Sequence, residues 1–265
     1  MGLNIKKSNG NSQGAFKVLG TGGRVRVYEL IPYVTDGLQV NLDAGNPASY
    51  PGSGTTWTDT KSGLQFTLHS GVSYHSDNGG VLRFDGTSNG WADTATSLGS
   101  FSMWSVEAWI KMNSSPPNPG NTDIVPCVFS ETYDGGPINF SLTVPSGNPR
   151  SKFNYGGGWW DGGSWHQITA NDGPVVTNGE WHHVVLTYDG STNKIYYDGD
   201  FYTDNGTDVG TPTSSGIGYR IARRWDLVTA EMVPADIPIV RMYGKALSSG
   251  EVAQNFGALR GRYGV

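Results

Sequence analysis

Short alternating segments that stop at Asp-Gly recur along this chain, and no other feature restricts its fold as much. Val81-Leu-Arg-Phe84 stops at Asp85-Gly86, the run from Trp181 to Tyr188 at Asp189-Gly190, and Lys194-Ile-Tyr-Tyr197 at Asp198-Gly199. Gly supplies the positive φ that a tight reversal needs, so each pair reads as the end of a strand. Leu38-Gln-Val-Asn-Leu42, Ser105-Val-Glu-Ala-Trp-Ile-Lys111 and Phe140-Ser-Leu-Thr-Val144 alternate in the same way. In the second of these, Val106, Ala108 and Ile110 share one face, and Glu107, Trp109 and Lys111 share the other. Thirty-nine Gly and fourteen Pro supply turns, while nine Trp, thirteen Tyr and nine Phe supply large apolar groups. Aromatic strands joined by Gly-rich turns favour an all-β sandwich or barrel over a helical bundle or a doubly wound sheet. At 265 residues the chain suits one large domain with an appendage.

The two ends depart from the pattern. Residues 1–35 read as an extended arm, broken by Gly10, Gly14, Gly20, Gly22 and Gly23, with strand-like alternation only from Arg24 to Ile31 before Pro32. Within residues 1–32, Lys6, Lys7, Lys17, Arg24 and Arg26 stand against Glu29 alone. The arm therefore carries +4, and the net charge of −5 leaves −9 on the rest. A basic arm on an acidic body either aids solubility or docks onto an acidic neighbour. Residues 36–265 form the domain proper. Near the C-terminus the period changes: Ser248 precedes Glu251 by three residues, the capping-box spacing, and Val252, Phe256 and Leu259 recur at helical intervals. One short helix on the edge of the sandwich is expected there.

The acidic balance argues against general nucleic-acid binding, which needs a basic face to neutralise phosphates. Cys127 is the only cysteine, which excludes an intrachain disulfide and reads as a small buried apolar group beside Pro126. The N-terminus lacks the apolar core of a signal peptide, and no apolar run approaches the ~20 residues that span a bilayer. The expectation is a protein made in reducing cytosol, with no membrane insertion.

The stretch richest in chemistry is Tyr155-Gly-Gly-Gly-Trp-Trp-Asp-Gly-Gly-Ser-Trp-His166. Trp159, Trp160, Trp165 and Tyr155 on a glycine frame offer flat apolar faces beside the polar tips of Asp161 and His166. Sugar recognition uses that pairing, because rings cover C–H faces and fixed polar groups read hydroxyls. The same rings could anchor a neighbouring subunit or fold back onto their own domain. His182 and His183 are adjacent on a strand and point to opposite faces, one toward the core and one to a surface hydrogen bond, so they do not share a metal ion. Paired carboxylates at alternating strand positions, the requirement for glycoside hydrolysis, are missing: Glu107 is alone on its strand, and Asp236 has no acidic residue two positions away. There is no Gly-x-Ser-x-Gly elbow either. The expectation is a protein that is not an enzyme.

Four segments together carry a family likeness: Ser105 to Lys111, Trp181 to Gly199, Gly218-Tyr-Arg-Ile-Ala-Arg-Arg224, and Ile237-Pro-Ile-Val-Arg-Met-Tyr-Gly-Lys-Ala-Leu247. They resemble the laminin-G-like, concanavalin A-like family, which implies a two-sheet jelly roll across about residues 36–260. Pro238 interrupts the last segment and points to an edge strand or a bulge. Relatives often hold calcium in rim loops, for which Asp85, Ser88, Asn89, Asp134 and Asp161 could supply oxygens, although turn capping accounts for the same side chains. The segment from Val40 through Gly54 with Trp57-Thr-Asp59, and the segment from Ala253 to Gly264, look like phage structural proteins that carry this domain. That resemblance implies a virion role: a capsid decoration or fibre-type outer subunit, assembled in the host, bound to other virion proteins such as the major capsid protein, and forming a homo-oligomer. A carbohydrate-binding adhesin for host surface glycans is the alternative.

Overall fold

A computed structural model of the chain describes residues 16–19, 26–29, 32–114, 127–131, 139–143, 152–168, 175–177, 179–213, 216–224 and 233–265. The first strands are β1 (Phe16–Leu19), β2 (Arg26–Glu29), β3 (Leu38–Asp43), β4 (Thr56–Thr58), β5 (Gln65–Leu68), β6 (Val72–His75), β7 (Val81–Asp85) and β8 (Ala92–Asp93). They are followed by β9 (Trp104–Met112), β10 (Cys127–Glu131), β11 (Asn139–Thr143), β12 (Lys152–Trp160), β13 (Trp165–Ile168) and β14 (Val175–Thr177). The series closes with β15 (Trp181–Tyr188), β16 (Asn193–Tyr197), β17 (Asp200–Asp204), β18 (Tyr219–Ile221), β19 (Pro234–Tyr243) and the helix α1 (Ser249–Tyr263).

Two sheets face each other. One runs β13-β12-β11-β10-β18-β8-β5-β4, with β14 also on β12; the other runs β17-β16-β15-β9-β19-β7-β6, with β3 also on β19. The register shows why the sequence alternates as it does. Across the first sheet, Phe140, Phe129, Ile221, Ala92 and Leu68 stand in one row, and Asn139, Ser130, Arg220, Asp93 and Thr67 in the next. Successive residues point to opposite faces, so Phe129, Ile221, Ala92 and Leu68 face the core while Ser130, Arg220, Asp93 and Thr67 face away. Trp57, Phe66, Trp104, Phe129, Trp159, Tyr188 and Tyr219 fill the space between the sheets.

The central strands of the second sheet, β9, β15 and β19, are buried on both faces. Val106, Ala108, Ile110, Val184 and Leu186 look into the sandwich, while Trp109, Trp181 and Ile239 pack under α1. The helix therefore lies across the outer face of this sheet and not along an edge. Ser248 caps it in a full capping box with Glu251, as the spacing anticipated, and Gly264 ends it at φ 77°. It runs to Tyr263, one turn beyond the expected end. Arg260 and Arg262 break the apolar period there, but Arg262 is held by Asp43 at 2.8 Å and by the carbonyl of Asn78 at 2.6 Å.

Beneath α1 lies an ionic layer. Glu107 and Arg241 are register partners on β9 and β19, 2.7 Å apart and both buried. Arg241 also reaches Asn41 at 2.9 Å, Asn255 of α1 donates to Glu107, and His183 stands 3.4 Å from the same carboxylate. Burial works against the Glu107 charge, yet Arg241, His183 and Asn255 hold its pKa well below the ordinary range. Pro238 sits in a bulge of β19, a central strand, between Asp236 and Ile239, where the partner changes from β7 to β3 and no ladder donor is required.

Strands β1 and β2 pair antiparallel and make a two-stranded sheet of their own. The chain joins the sandwich at Pro32, whose carbonyl accepts from Gln254 at 2.7 Å, and Val34 is already buried against Tyr196 and Val252.

Candidate functional site

The aromatic Gly-rich stretch is a hairpin of β12 and β13. Its turn is built by Asp161, whose Oδ1 accepts from the backbone N–H of Gly163 and of Ser164, each at 2.7 Å, with Gly162 at φ 97°. The register sets Trp160 opposite Trp165, Trp159 opposite His166 and Gly158 opposite Gln167. Adjacent strand residues face opposite ways, so the three tryptophans cannot form one platform. Trp159 turns inward and is completely buried, its ring stacked on His166 at 4.0 Å and tilted against Tyr188 at 4.7 Å. This removes Trp159 from the contact residues expected from sequence and makes it a core residue. Trp160 is half-buried on the opposite face, and its carbonyl accepts from the backbone N–H of Thr213 at 3.2 Å. Tyr155 and Trp165 have described backbone positions, opposite Leu142 and Trp160, while their side chains lie outside the described residues.

His166 fastens the hairpin to the chain that crosses from β17 to β18. Its Nε2 lies 3.0 Å from Asp161 and its Nδ1 2.5 Å from Asp208, which also accepts from Asn205 at 2.7 Å. Burial opposes the imidazolium, but the hydrogen bonds and charges of Asp161 and Asp208 outweigh it and raise the His166 pKa. The same contact, joined by the two turn N–H groups, lowers that of Asp161 to about 2. Two residues on from Asp208, Gly210 donates to the Tyr188 hydroxyl at 3.1 Å and accepts from it at 2.9 Å, and lies so close to Trp159 that a Cβ would overlap the ring. His166, held by Asp161, therefore ties the β12–β13 hairpin to the connection between β17 and β18.

A family model described as concanavalin A-like lectin/glucanases superfamily matches residues 84–253. The chain belongs to this superfamily. Among solved structures it is similar to the binding domain of Paraclostridial Mosquitocidal Protein 1, with TM-score 0.58, 14% identity, and coverage of 83% of this chain and 52% of that one. The fourth domain of an extracellular arabinanase from Geobacillus stearothermophilus, in complex with arabinotriose, gives TM-score 0.57 and 15% identity over 82% of this chain and 97% of that one. A Trypanosoma rangeli sialidase in complex with an inhibitor gives TM-score 0.56 and 13% identity over 84% of this chain and 33% of that one. The chain thus spans about half the length of the toxin binding domain and a third of the sialidase. No curated protein matches it in sequence.

On this concanavalin A-like sandwich, the other residues singled out from sequence fall as follows. Lys17 and Arg26 lie in β1 and β2, while Lys6, Lys7 and Arg24 are outside the described residues. Cys127 is fully buried in β10. His182 and His183 face opposite ways, the first 3.0 Å from Asp198 and the second enclosed with Glu107. Asp85 spends an oxygen on the N–H of Thr87 at 2.9 Å, and the Ser88 carbonyl accepts from Arg223 at 3.4 Å. Asn89 offers its carbonyl to Gly71 at 2.9 Å, and Asp134 is outside the described residues. Among the described residues no group of three or more His, Cys, Asp or Glu could hold a metal ion. Two partnerships escaped the sequence reading: His166 with Asp208, forty-two positions apart, and Glu107 with Arg241, one hundred and thirty-four apart. No local signal marks either pair.

Proposed function

We propose that this chain is a non-catalytic outer subunit of a bacteriophage particle, of the capsid decoration or fibre type, which presents the concanavalin A-like sandwich and is held in place through its N-terminal arm. The observation that carries the reading is the arm itself. Its residues 16–19 and 26–29 pair as a two-stranded sheet, and the arm carries +4 against −9 on the rest of the chain. A two-stranded hairpin is marginal in water by itself, so it gains most by docking onto something larger. The resemblance of the segments at 40–59 and 253–264 to phage structural proteins supplies the setting, and a homo-oligomer on the major capsid protein is the arrangement it favours. Antibody raised against the sandwich and carrying gold should decorate intact particles on their outer surface. Label confined to the soluble fraction of the lysate, with none on particles, refutes the reading.

A second reading, a site for host surface glycans, is favoured by the outward face of the β12–β13 hairpin. Trp160 is half-buried there with Trp165 as its register partner, and Asp161 follows it in the turn. An aromatic ring beside a polar turn residue suits a saccharide. The arabinanase domain with arabinotriose bound shares this fold. Trp160→Ala together with Trp165→Ala should abolish binding on a glycan array. An array on which the wild type binds nothing removes this reading.

A further inference from the structure

The stretch that leaves β17 toward β18 crosses the end of the sandwich as a strap. It is moored at both ends. Asn205 donates its N–H to the Asn193 carbonyl at 3.3 Å and accepts from the Asn193 N–H through Oδ1 at 2.9 Å, and Thr213 donates to the Trp160 carbonyl at 3.2 Å. Between the moorings, Gly206 turns the chain at φ 67°, the Asp208 N–H reaches the Ser191 carbonyl at 2.6 Å, and Gly210 closes on the Trp159 ring and the Tyr188 hydroxyl.

What the strap encloses makes the closed state costly. Trp104, Tyr188 and Asn193 are register partners in one row of the second sheet, so Asn193 shares the inward face of the two aromatic residues. The Asn193 carboxamide and the Trp159 indole N–H are completely buried, and neither has a hydrogen-bond partner among the described residues. A polar group in that position gives up its hydration with no return. Lifting the strap gives it back, so the closed state needs a hold.

His166 supplies that hold between Asp161 and Asp208. A protonated ring donates from both nitrogens and satisfies both carboxylates. A neutral ring has one N–H, and a carboxylate only accepts, so one of the two contacts then sets a lone pair against an oxygen. Asp161 cannot withdraw, because the N–H groups of Gly163 and Ser164 fix its Oδ1 in the turn. Asp208 can, since its side chain is 25% exposed on the strap. No lysine or arginine among the described residues contacts either carboxylate. Of the neighbouring strands, β12 brings Trp159, β16 brings Asn193, and β15 brings the Tyr188 hydroxyl, whose pKa burial raises. Asp189, which also acts on Tyr188, is paired with Lys194 at 2.9 Å.

We infer that the proton on His166 fastens this strap, and that its loss frees Asp208 and lets the strap lift from the Trp159–Tyr188 end of the sandwich. Folding raises the His166 pKa, so the hold is complete below 6.5 and is lost as pH rises through the raised value. Opening presents an indole, a phenol and a carboxamide that the closed state encloses. The device belongs to the body of the protein and is independent of what the arm binds.

Hydrogen exchange of the full-length chain, read by mass spectrometry and corrected for the intrinsic pH dependence of amide exchange, tests it beside an NMR titration of the His166 ring protons. Peptides covering residues 205–213 should lose protection as pH rises through that titration, by about tenfold for each pH unit between the closed-state and open-state midpoints. Peptides from β9 should stay protected. Asp208→Asn should abolish the dependence, because the amide carbonyl still accepts from Asn205 while its NH2 donates to the neutral Nδ1. Asp161→Asn relieves the opposite nitrogen in the same way, so a folding defect in one variant leaves the other to decide, and melting temperature below pH 6.5 checks both. A strap whose exchange ignores the His166 titration overturns the inference. Equal pH dependence in the wild type and in a folded variant does so as well. Protection lost from β9 together with the strap also overturns it, since the whole sandwich then loosens.

Discussion

Replacing Trp159 with alanine separates a core residue from a contact residue, two roles the sequence leaves indistinguishable. The indole is fully buried, with one face on His166 and its edge toward Tyr188, and Gly210 is closed down on it. Nothing nearby can collapse into the space, because His166 is tied to Asp161 and Asp208, and the Tyr188 hydroxyl to Gly210. Deleting a buried indole costs about 3–5 kcal/mol through lost transfer energy and the cavity left behind. For a domain of this size, about 2–4 °C per kcal/mol converts that into a fall of roughly 6–20 °C in melting temperature. Trp160→Ala, on the half-buried outer face of the same strand, should cost on the order of 1 kcal/mol or less. Thermal denaturation followed by circular dichroism, with the two variants side by side, reads the difference. If both melt within a degree or two of each other, the assignment of Trp159 to the core is wrong.

Gly210→Ala should destabilise the sandwich by about 1–3 kcal/mol, since the new methyl group overlaps the Trp159 ring, and the same denaturation experiment detects it. Glu107→Ala leaves the buried Arg241 guanidinium uncompensated and should cost about 3–5 kcal/mol in chemical denaturation, more than Glu107→Gln. Because folding lowers the Glu107 pKa, its contribution is complete above the ordinary value of 4.5 and disappears as pH falls through the lower folded-state value. Acid unfolding of Glu107→Gln should accordingly depend less on pH over that window than the wild type does. His166 has the opposite sign: its folded-state pKa is raised, so its contribution is complete below 6.5 and is lost as pH rises through the raised value. Asp208→Asn should flatten that alkaline decline, as melting temperature recorded against pH would show.

The parts of this fold that were legible in the sequence are those governed by neighbours along the chain. Period-two alternation placed Val106, Ala108 and Ile110 together, Asp-Gly ended β15 and β16, and the Ser248–Glu251 spacing marked the start of α1. What was not legible depends on a second layer. The alternation of β9 shows two faces, but only the presence of α1 above Trp109 and Glu107 makes both of them buried, and the position of α1 on the face of the sheet is set by Tyr263 and Phe256 against Trp109. The hairpin was hidden for a related reason. Three glycines before Trp159 suggest a loop, whereas Gly156, Gly157 and Gly158 continue β12 between β11 and β13 and divide the tryptophans between its faces. Glu107 looked solitary because its partner Arg241 lies on another strand of the same sheet.

Removing residues 1–31 tests most directly the division of this molecule into a self-sufficient sandwich and a docking arm. The truncated chain should keep the β-rich circular-dichroism spectrum and the melting temperature of the full-length protein, since Pro32, Val34 and every residue of the sandwich remain, and it should fail to associate with parent particles. A truncated chain that attaches as well as the full-length protein, or that no longer folds, contradicts the division.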